Sequence, residues 1–316
     1  MRLLVTRRLP EANMVAARER FDATFADNDH GLSPEEAARA LREFDAILPT
    51  LGDRFTAEAF AGGAVRCRIL ANFGVGVNHI DVAAAKAAGV VVTNTPGAVT
   101  DATADIAMML ILMTCRRAGE GERLLRRGDW TGWEPTQMLG THVTGLTVGI
   151  VGMGRIGQAI ARRCHFGFGM PVVFHNRSEK VVDVPARQVE LAGLLREADV
   201  VVLAVPGGAD TRGLIGAAEL AAMKRSAVLV NIARGDVVDE GALVDALEAG
   251  RIAGAGLDVY AREPEVPERL RRLENAVLLP HLGTATLTVR EAMGRMALGN
   301  LLAFAEGREP PNVVQG

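Results

Sequence analysis

Cysteine is scarce: the chain holds three, Cys67, Cys115 and Cys164, far apart and with no CxxC pair. That spacing offers neither a zinc ligand set nor a disulfide framework, so no metal is expected and three buried thiols in a reducing, cytoplasmic setting are. Aromatics make up only 4%, and no basic tract interrupts a net charge of −3. Nucleic acid and anionic membranes are therefore poor partners. Long apolar runs are missing too, since the longest, residues 106–113, is far below the roughly 18 residues that span a bilayer. The opening MRLLVTRRLP reads as a short strand rather than a signal peptide, because its apolar run stops early and no small-residue cleavage site follows. What remains is 316 residues with 49% hydrophobic content, ample for two buried cores and suited to a small polar metabolite.

The first hundred residues alternate strand-like and helix-like segments: LLVT at residues 3–6, a polar helix at 34–42, FDAILPT from Phe44, then CRILANFG and GVVVTNT. Short apolar strands separated by helices imply a parallel sheet covered on both faces. Near Pro96 the pattern changes to one long helix, capped by Thr100 or Thr103 and running to Gly128, apolar on nearly all sides at first and so buried. A loop with Trp130, Trp133 and Pro135 leads onward.

The organising stretch is LTVGIVGMGRIGQAI, residues 146–160, where a strand breaks into glycines and resumes with helical spacing. Gly152, Gly154 and Gly157 fill GxGxxG: a tight turn, a close approach of backbone to a pyrophosphate, and a close helix-on-strand packing. A diphosphate would sit at the helix N-terminus, where unpaired N–H groups favour negative charge. Five further strands follow, at residues 171–176, 199–206, 227–233, 253–259 and 276–280, with a helix at 239–249 that ends at Gly250. Six strands in all make a dinucleotide-binding domain over residues 99–286. Residues 1–98 with 287–316 form the other domain, the helix at 287–306 returning the chain to the first lobe. The expected fold is α/β, two Rossmann-like or flavodoxin-like lobes with doubly wound parallel sheets and an active-site cleft between them.

The blocks ANFGVGVNHID (71–81), VGMGRIG (151–157), NIARGDVVDEGAL (231–243), GLDVYAREP (256–264) and PHLGTAT (280–286), in this order, resemble the D-isomer-specific 2-hydroxyacid dehydrogenases, and within them the glyoxylate and hydroxypyruvate reductases. The resemblance covers nearly the whole chain. It implies an oxidoreductase that reduces a small 2-keto acid, glyoxylate or hydroxypyruvate, with a nicotinamide dinucleotide.

That chemistry needs a cation for the substrate carboxylate and a proton donor for the developing alkoxide. Arg234 follows the strand AVLVNIA at its carboxyl end, where open α/β sheets place ligands, and its fork can hold a carboxylate bidentately. His281 ends the strand AVLLP, and its ring suits reversible proton transfer near neutral pH. By resemblance Glu263 is its carboxylate partner. The other histidines, His30, His79, His142, His165 and His175, lack a comparable setting and read as structural. Resemblance also implies that Arg155, Ile156 and Pro206 touch the cofactor, as do Asp258 and the carbonyl of Ala233 through the nicotinamide carboxamide, although Asp258 reads equally as a loop cap. Leu51 is similar to a side-chain wall beside the substrate. The backbone of Val75 and Gly76 either completes carboxylate binding or makes only a tight turn.

The tip of the second strand reads His175, Asn176, Arg177, Ser178, with no carboxylate to repel a 2′-phosphate and with Arg177 and Ser178 able to bind one. NADP is thus expected over NAD, which stays possible, with Glu179 the opposing feature. GGAD at residues 207–210 departs from the Leu-Thr and proline that many relatives carry, so side-chain contacts there do not transfer. Gln137 and Met138 stand where some glyoxylate reductases supply an aromatic from the neighbouring subunit. Alternatives within the class are phosphoglycerate and larger D-2-hydroxyacid dehydrogenation, the long phosphoglycerate forms being disfavoured because no regulatory domain is expected after Gly316. Outside the class stands a dinucleotide-sensing corepressor. The apolar helix and the tryptophan loop point to a homodimer.

Overall fold

A computed structural model describes residues 1–27 and 30–315. The chain divides into two compact units, Met1–Val99 with Thr284–Gly316, and Thr100–Gly283. In the first unit the short apolar runs become five parallel strands: β1 (Arg2–Val5), β2 (Asp22–Phe25), β3 (Ala46–Leu48), β4 (Ile69–Ala71) and β5 (Val91–Thr93). Their order, β2-β1-β3-β4-β5, is that of flavodoxin-like sheets. The side chains of the central strands β1, β3 and β4 are buried on both faces, apart from Arg2. One face packs with Leu41, Phe55 and Phe60, the other with Met14, Ala297 and Leu301. Helix Leu287–Ala305 joins this unit through Asn13, whose side-chain amide donates to the Glu291 carbonyl at 3.0 Å.

The second unit holds seven parallel strands: β6 (Val148–Val151), β7 (Val172–His175), β8 (Ala186–Gln188), β9 (Val200–Leu203), β10 (Val228–Asn231), β11 (Gly254–Leu257) and β12 (Ala276–Leu278). The order β12-β11-β10-β9-β6-β7-β8 is the Rossmann pattern with one strand added at the far edge. Strand order reverses between β6 and β9, and ligands bind outside the carboxyl ends at such a reversal. Apolar clusters cover both faces, one of them completed by Ala107, Leu110 and Ile111 of the helix Thr100–Cys115. Among the described residues no helix is long and apolar enough to cross a membrane. All three cysteines are free and buried, and burial pushes the Cys67, Cys115 and Cys164 thiols up to about 12, 11 and 12.

Three features correct the sequence reading. β2 and β8 were not anticipated, and both are edge strands, four and three residues long, in which half-exposed and exposed positions replace an apolar run. The dinucleotide sheet therefore has seven strands rather than six. The expected long helix is two, Thr100–Cys115 and Ala118–Arg127, separated by Arg117 in the left-handed region at φ +52°. In a continuous helix the Cys115 carbonyl would accept from the N–H four residues on. Here it accepts from Thr141 at 2.7 Å, and Gly140 lies so close that a Cβ there would sit 2.4 Å from that oxygen. Thr103 is not a cap: its hydroxyl donates to the Gly283 carbonyl at 3.2 Å.

Candidate functional site

The turn after β6 has the geometry a diphosphate needs. Gly152 adopts φ +100°, which side-chain-bearing residues rarely take, and its N–H donates to the His175 carbonyl at 2.9 Å. Gly157 packs on this turn so closely that a Cβ would lie 2.1 Å from the Gly152 carbonyl oxygen. Gly154, by contrast, has nothing within 4 Å of its missing Cβ and is the N-cap of helix Arg155–Arg162. Two glycines thus hold the turn shut while the third leaves its outer side open, with the unpaired first N–H groups of the helix beside it. Arg155 is exposed and Ile156 half-buried at the helix start.

Beyond β7, Asn176 ties the turn to its neighbour. Its side-chain oxygen accepts from the Met153 N–H at 3.2 Å and its amide donates to the Ser178 carbonyl at 2.8 Å. Arg177 is exposed and pairs with Asp210, in the loop after β9, at 3.1 Å. The β7 tip itself carries no acid, yet a carboxylate reaches this corner from the glycine-rich loop. That contact joins segments 33 residues apart, which no local pattern reveals. Pro206, at the start of the same loop, is exposed, and its carbonyl accepts from the Thr211 hydroxyl at 2.7 Å.

β10 ends in Asn231, and this buried side chain shapes the loop that carries Arg234. Its amide donates to the Arg234 carbonyl at 2.9 Å and its oxygen accepts from the Ala233 N–H at 3.0 Å. The guanidinium of Arg234 donates through Nη1 to the Ala233 carbonyl at 2.6 Å, while its buried Nε finds no partner among the described residues. Burial pushes its pKa below the usual arginine range, with Glu263 and Asp236 opposing that shift. A desolvated cation with donors to spare is a site for an anion. The Ala233 carbonyl, expected at the carboxamide, already accepts one hydrogen bond from Arg234.

β11 and β12 lead into a histidine–glutamate pair. His281 Nδ1 lies 2.8 Å from Glu263 Oε2, the two side chains being 30% and 31% exposed. Glu263 Oε1 accepts from the Tyr260 N–H at 3.0 Å. Burial pushes the Glu263 carboxyl up, but the hydrogen bond and charge of His281, the Tyr260 N–H and the charge of Arg234 outweigh it and leave the pKa below 4.5. His281 itself sits at φ +53°, an uncommon conformation for a residue with a side chain. Asp258 explains how it is held. This buried carboxylate accepts from the N–H groups of Leu282 at 2.6 Å and Gly283 at 2.8 Å, and the Asp258 carbonyl accepts from the His281 N–H at 3.0 Å. Burial raises the Asp258 pKa against the pull of those donors. Asp258 is therefore a clamp on the histidine turn, a part its place after an apolar strand did not disclose.

Gly152, Gly154, Arg155, Ile156, Gly157, Asn176, Arg177, Ser178, Pro206, Ala233, Arg234, Asp258, Glu263 and His281 thus lie at or beyond the carboxyl ends of β6, β7, β9, β10, β11 and β12 in one unit. Leu51, Val75 and Gly76 belong to the other, following β3 and β4. Leu51 and Val75 are exposed, and the Val75 carbonyl accepts from the Asn94 amide at 2.9 Å. His79, His165 and His175 bond to the Asn72 side chain and to the carbonyls of Met170 and Val189. Among the described residues no cluster of three or more His, Cys, Asp or Glu could hold a metal ion.

Comparison with known proteins shows the family. Residues 108–283 match the family described as D-isomer specific 2-hydroxyacid dehydrogenase, NAD binding domain. A glyoxylate reductase of Thermococcus onnurineus is 44% identical, covering 99% of this chain and 95% of that one, and one of Thermococcus kodakarensis is also 44% identical, covering 99% and 96%. Among solved structures, the NADPH-dependent glyoxylate/hydroxypyruvate reductase of Sinorhizobium meliloti in complex with NADP and malonate superposes with a TM-score of 0.88 at 35% identity, covering 99% and 96%. A protein of Thermus thermophilus gives 0.91 at 44% identity, each chain covered in full. With a dinucleotide-binding turn, a half-buried arginine and a histidine–glutamate pair beyond the carboxyl ends of one sheet, the chain is an oxidoreductase and belongs to the D-isomer specific 2-hydroxyacid dehydrogenase family.

Proposed function

We propose that the protein reduces a small 2-keto acid, glyoxylate or hydroxypyruvate, to its 2-hydroxy acid, with NADPH preferred over NADH. The observation that carries this is the half-buried Arg234 guanidinium, whose buried Nε has no partner among the described residues and which lies within the field of Glu263, which in turn holds His281. The relatives named glyoxylate reductase and the NADP and malonate complex of the Sinorhizobium enzyme support the substrate and cofactor class.

The glycine turn, Asn176, Arg177 and Ser178 would hold the dinucleotide, which when bound supplies the hydride for the keto carbon. Arg234 binds the substrate carboxylate through the donors that the fold leaves unused, and its charge polarises the adjacent carbonyl. His281, with Nδ1 committed to Glu263, has Nε2 available to give a proton to the carbonyl oxygen as it becomes an alkoxide. Glu263 orients the ring through its hold on Nδ1. Asp258 and Asn231 keep the two loops in place. Oxidation of the hydroxy acid runs the same proton transfer in reverse.

The cofactor preference rests on the neutral Asn176 at the β7 tip and on Arg177, with Asp210 the opposing charge. The decisive assay measures kcat/KM for glyoxylate, hydroxypyruvate, pyruvate and bulkier 2-keto acids with both nicotinamides. Turnover of none of them removes the reading, and equal values for NADPH and NADH remove the preference. A homodimer belongs to the same proposal: helix Ala118–Arg127 buries no residue, and Leu125, Trp130, Trp133 and Leu139 are all exposed along it and the loop that follows. A monomeric mass in dilute sedimentation would refute it.

A further inference from the structure

Tyr260, the only tyrosine of the chain, is buried where the loops after β10, β11 and β12 meet. Its hydroxyl donates to the Leu279 carbonyl at 3.0 Å, with the Leu257 carbonyl a weaker second acceptor at 3.4 Å. Leu279 stands two residues before His281, so this bond fixes the chain just where it enters the histidine turn. The backbone of Tyr260 does two further things. Its N–H holds Glu263 Oε1 at 3.0 Å, and its carbonyl lies so close to Gly235 that a Cβ there would be 2.1 Å from the oxygen. One residue therefore touches the glutamate, the approach to the histidine and the neighbour of Arg234. Burial, with the charges of Asp258, Glu263 and Glu240, pushes the phenol well above its ordinary range, so the hydroxyl stays a donor throughout the working pH. A phenylalanine would fill the same space and lose the hydroxyl's hold on the Leu279 carbonyl, leaving Leu279 only its own N–H bond to the Leu257 carbonyl at 2.8 Å.

We propose that Tyr260 is a positioning residue for proton transfer, its hydroxyl holding the Leu279–His281 segment so that the imidazole stays in register with Glu263. This rests on the reading of His281 as proton donor, and Tyr260 acts only through it. The variant Tyr260→Phe keeps the ring and loses the bond. Its kcat for 2-keto acid reduction is expected to fall about tenfold with the KM for cofactor unchanged, as a small misplacement of a reacting group would produce. In proton NMR of the apo protein, the Nδ1 proton shared by His281 and Glu263 should exchange with water faster in the variant than in the wild type. Either readout holding at its wild-type value overturns the proposal. The NMR arm needs no turnover, so an enzyme inactive on every 2-keto acid defeats the functional reading without deciding this one. Should Tyr260→Phe fail to fold, the single tyrosine allows labelling with 3-fluorotyrosine. Its fluorine resonance should stay untitrated through the pH at which free 3-fluorotyrosine ionises in the same buffer, and a resonance that titrates together with the free amino acid shows an untethered hydroxyl and overturns the proposal.

Discussion

Two corners of the same seven-stranded sheet are built on opposite terms. Where β10, β11 and β12 end, Arg234, Glu263 and His281 are fixed by buried groups: Asn231, Asp258 and Tyr260 each make at least two hydrogen bonds to the loops that carry them. Where β7 and β9 end, Arg177 and Asp210 face each other with 90% and 82% of their side chains exposed. The proposed roles account for the contrast: a proton donor misplaced by about 1 Å loses roughly 100-fold in rate, whereas telling a ribose hydroxyl from a phosphate needs only a charge within reach. Rigidity is concentrated at the first corner and adaptability at the second.

The sharpest way to break this comparison is His281→Ala. We expect kcat for glyoxylate reduction to fall about 1,000-fold with the affinity for NADPH almost unchanged, and retention of a tenth of the activity would remove the proton-donor assignment. Next, Arg234→Lys keeps the charge but loses the fork, and should cost about 2 kcal/mol, roughly thirty-fold in kcat/KM, mostly in the KM of the keto acid. An effect confined to the KM of the cofactor would place Arg234 elsewhere. Glu263→Gln should lower kcat about tenfold with the KM of the cofactor unchanged, because the amide keeps a hydrogen bond to the ring but loses the carboxylate's charge. In the wild type the fold lowers the Glu263 pKa from its ordinary 4.5, so the carboxylate that accepts from His281 is ionised above that pH and is lost only as the pH falls through the lowered value. A reductive kcat/KM that collapses well above pH 4.5 with Glu263 as the titrating group would contradict this.

The exposed corner should respond more gently. Arg177→Ala should lower the NADPH to NADH ratio of kcat/KM about tenfold, the worth of one charge-assisted contact to phosphate. Smallest of all, Asp210→Asn should raise kcat/KM for NADPH by about twofold and leave NADH alone, since an exposed ion pair is worth at most ~1 kcal/mol. High salt should erase that difference, and a larger or salt-insensitive change would show that Asp210 does more than compete for Arg177.

How much could be read in advance depended on the range of the interaction. The glycine turn, Arg234 and His281 were legible because each follows an apolar run, and the carboxyl ends of parallel strands are where ligands meet such sheets. β2 and β8 were not, because these two edge strands carry exposed and half-exposed positions, whereas the edge strands β5 and β12 are marked by apolar runs. The helix break at Arg117 also escaped notice, since its cause, the Thr141 N–H on the Cys115 carbonyl, comes from beyond the tryptophan loop. Asp258 stood among the candidates, as a cofactor contact or a cap on the next loop, but its grip on the N–H groups of Leu282 and Gly283 spans 24 and 25 residues and has no local signal.

Amino-acid order alone determined that apolar runs of strand length, punctuated by glycine and alternating with helices, would build two parallel sheets with a phosphate turn after β6. Those preferences act within a few residues of one another and so are written locally. The left-handed backbone of His281, the partner of Arg177 and the bond from Tyr260 to Leu279 were decided only when distant loops packed together, because each needs a donor and an acceptor that the chain brings within 3.1 Å by folding.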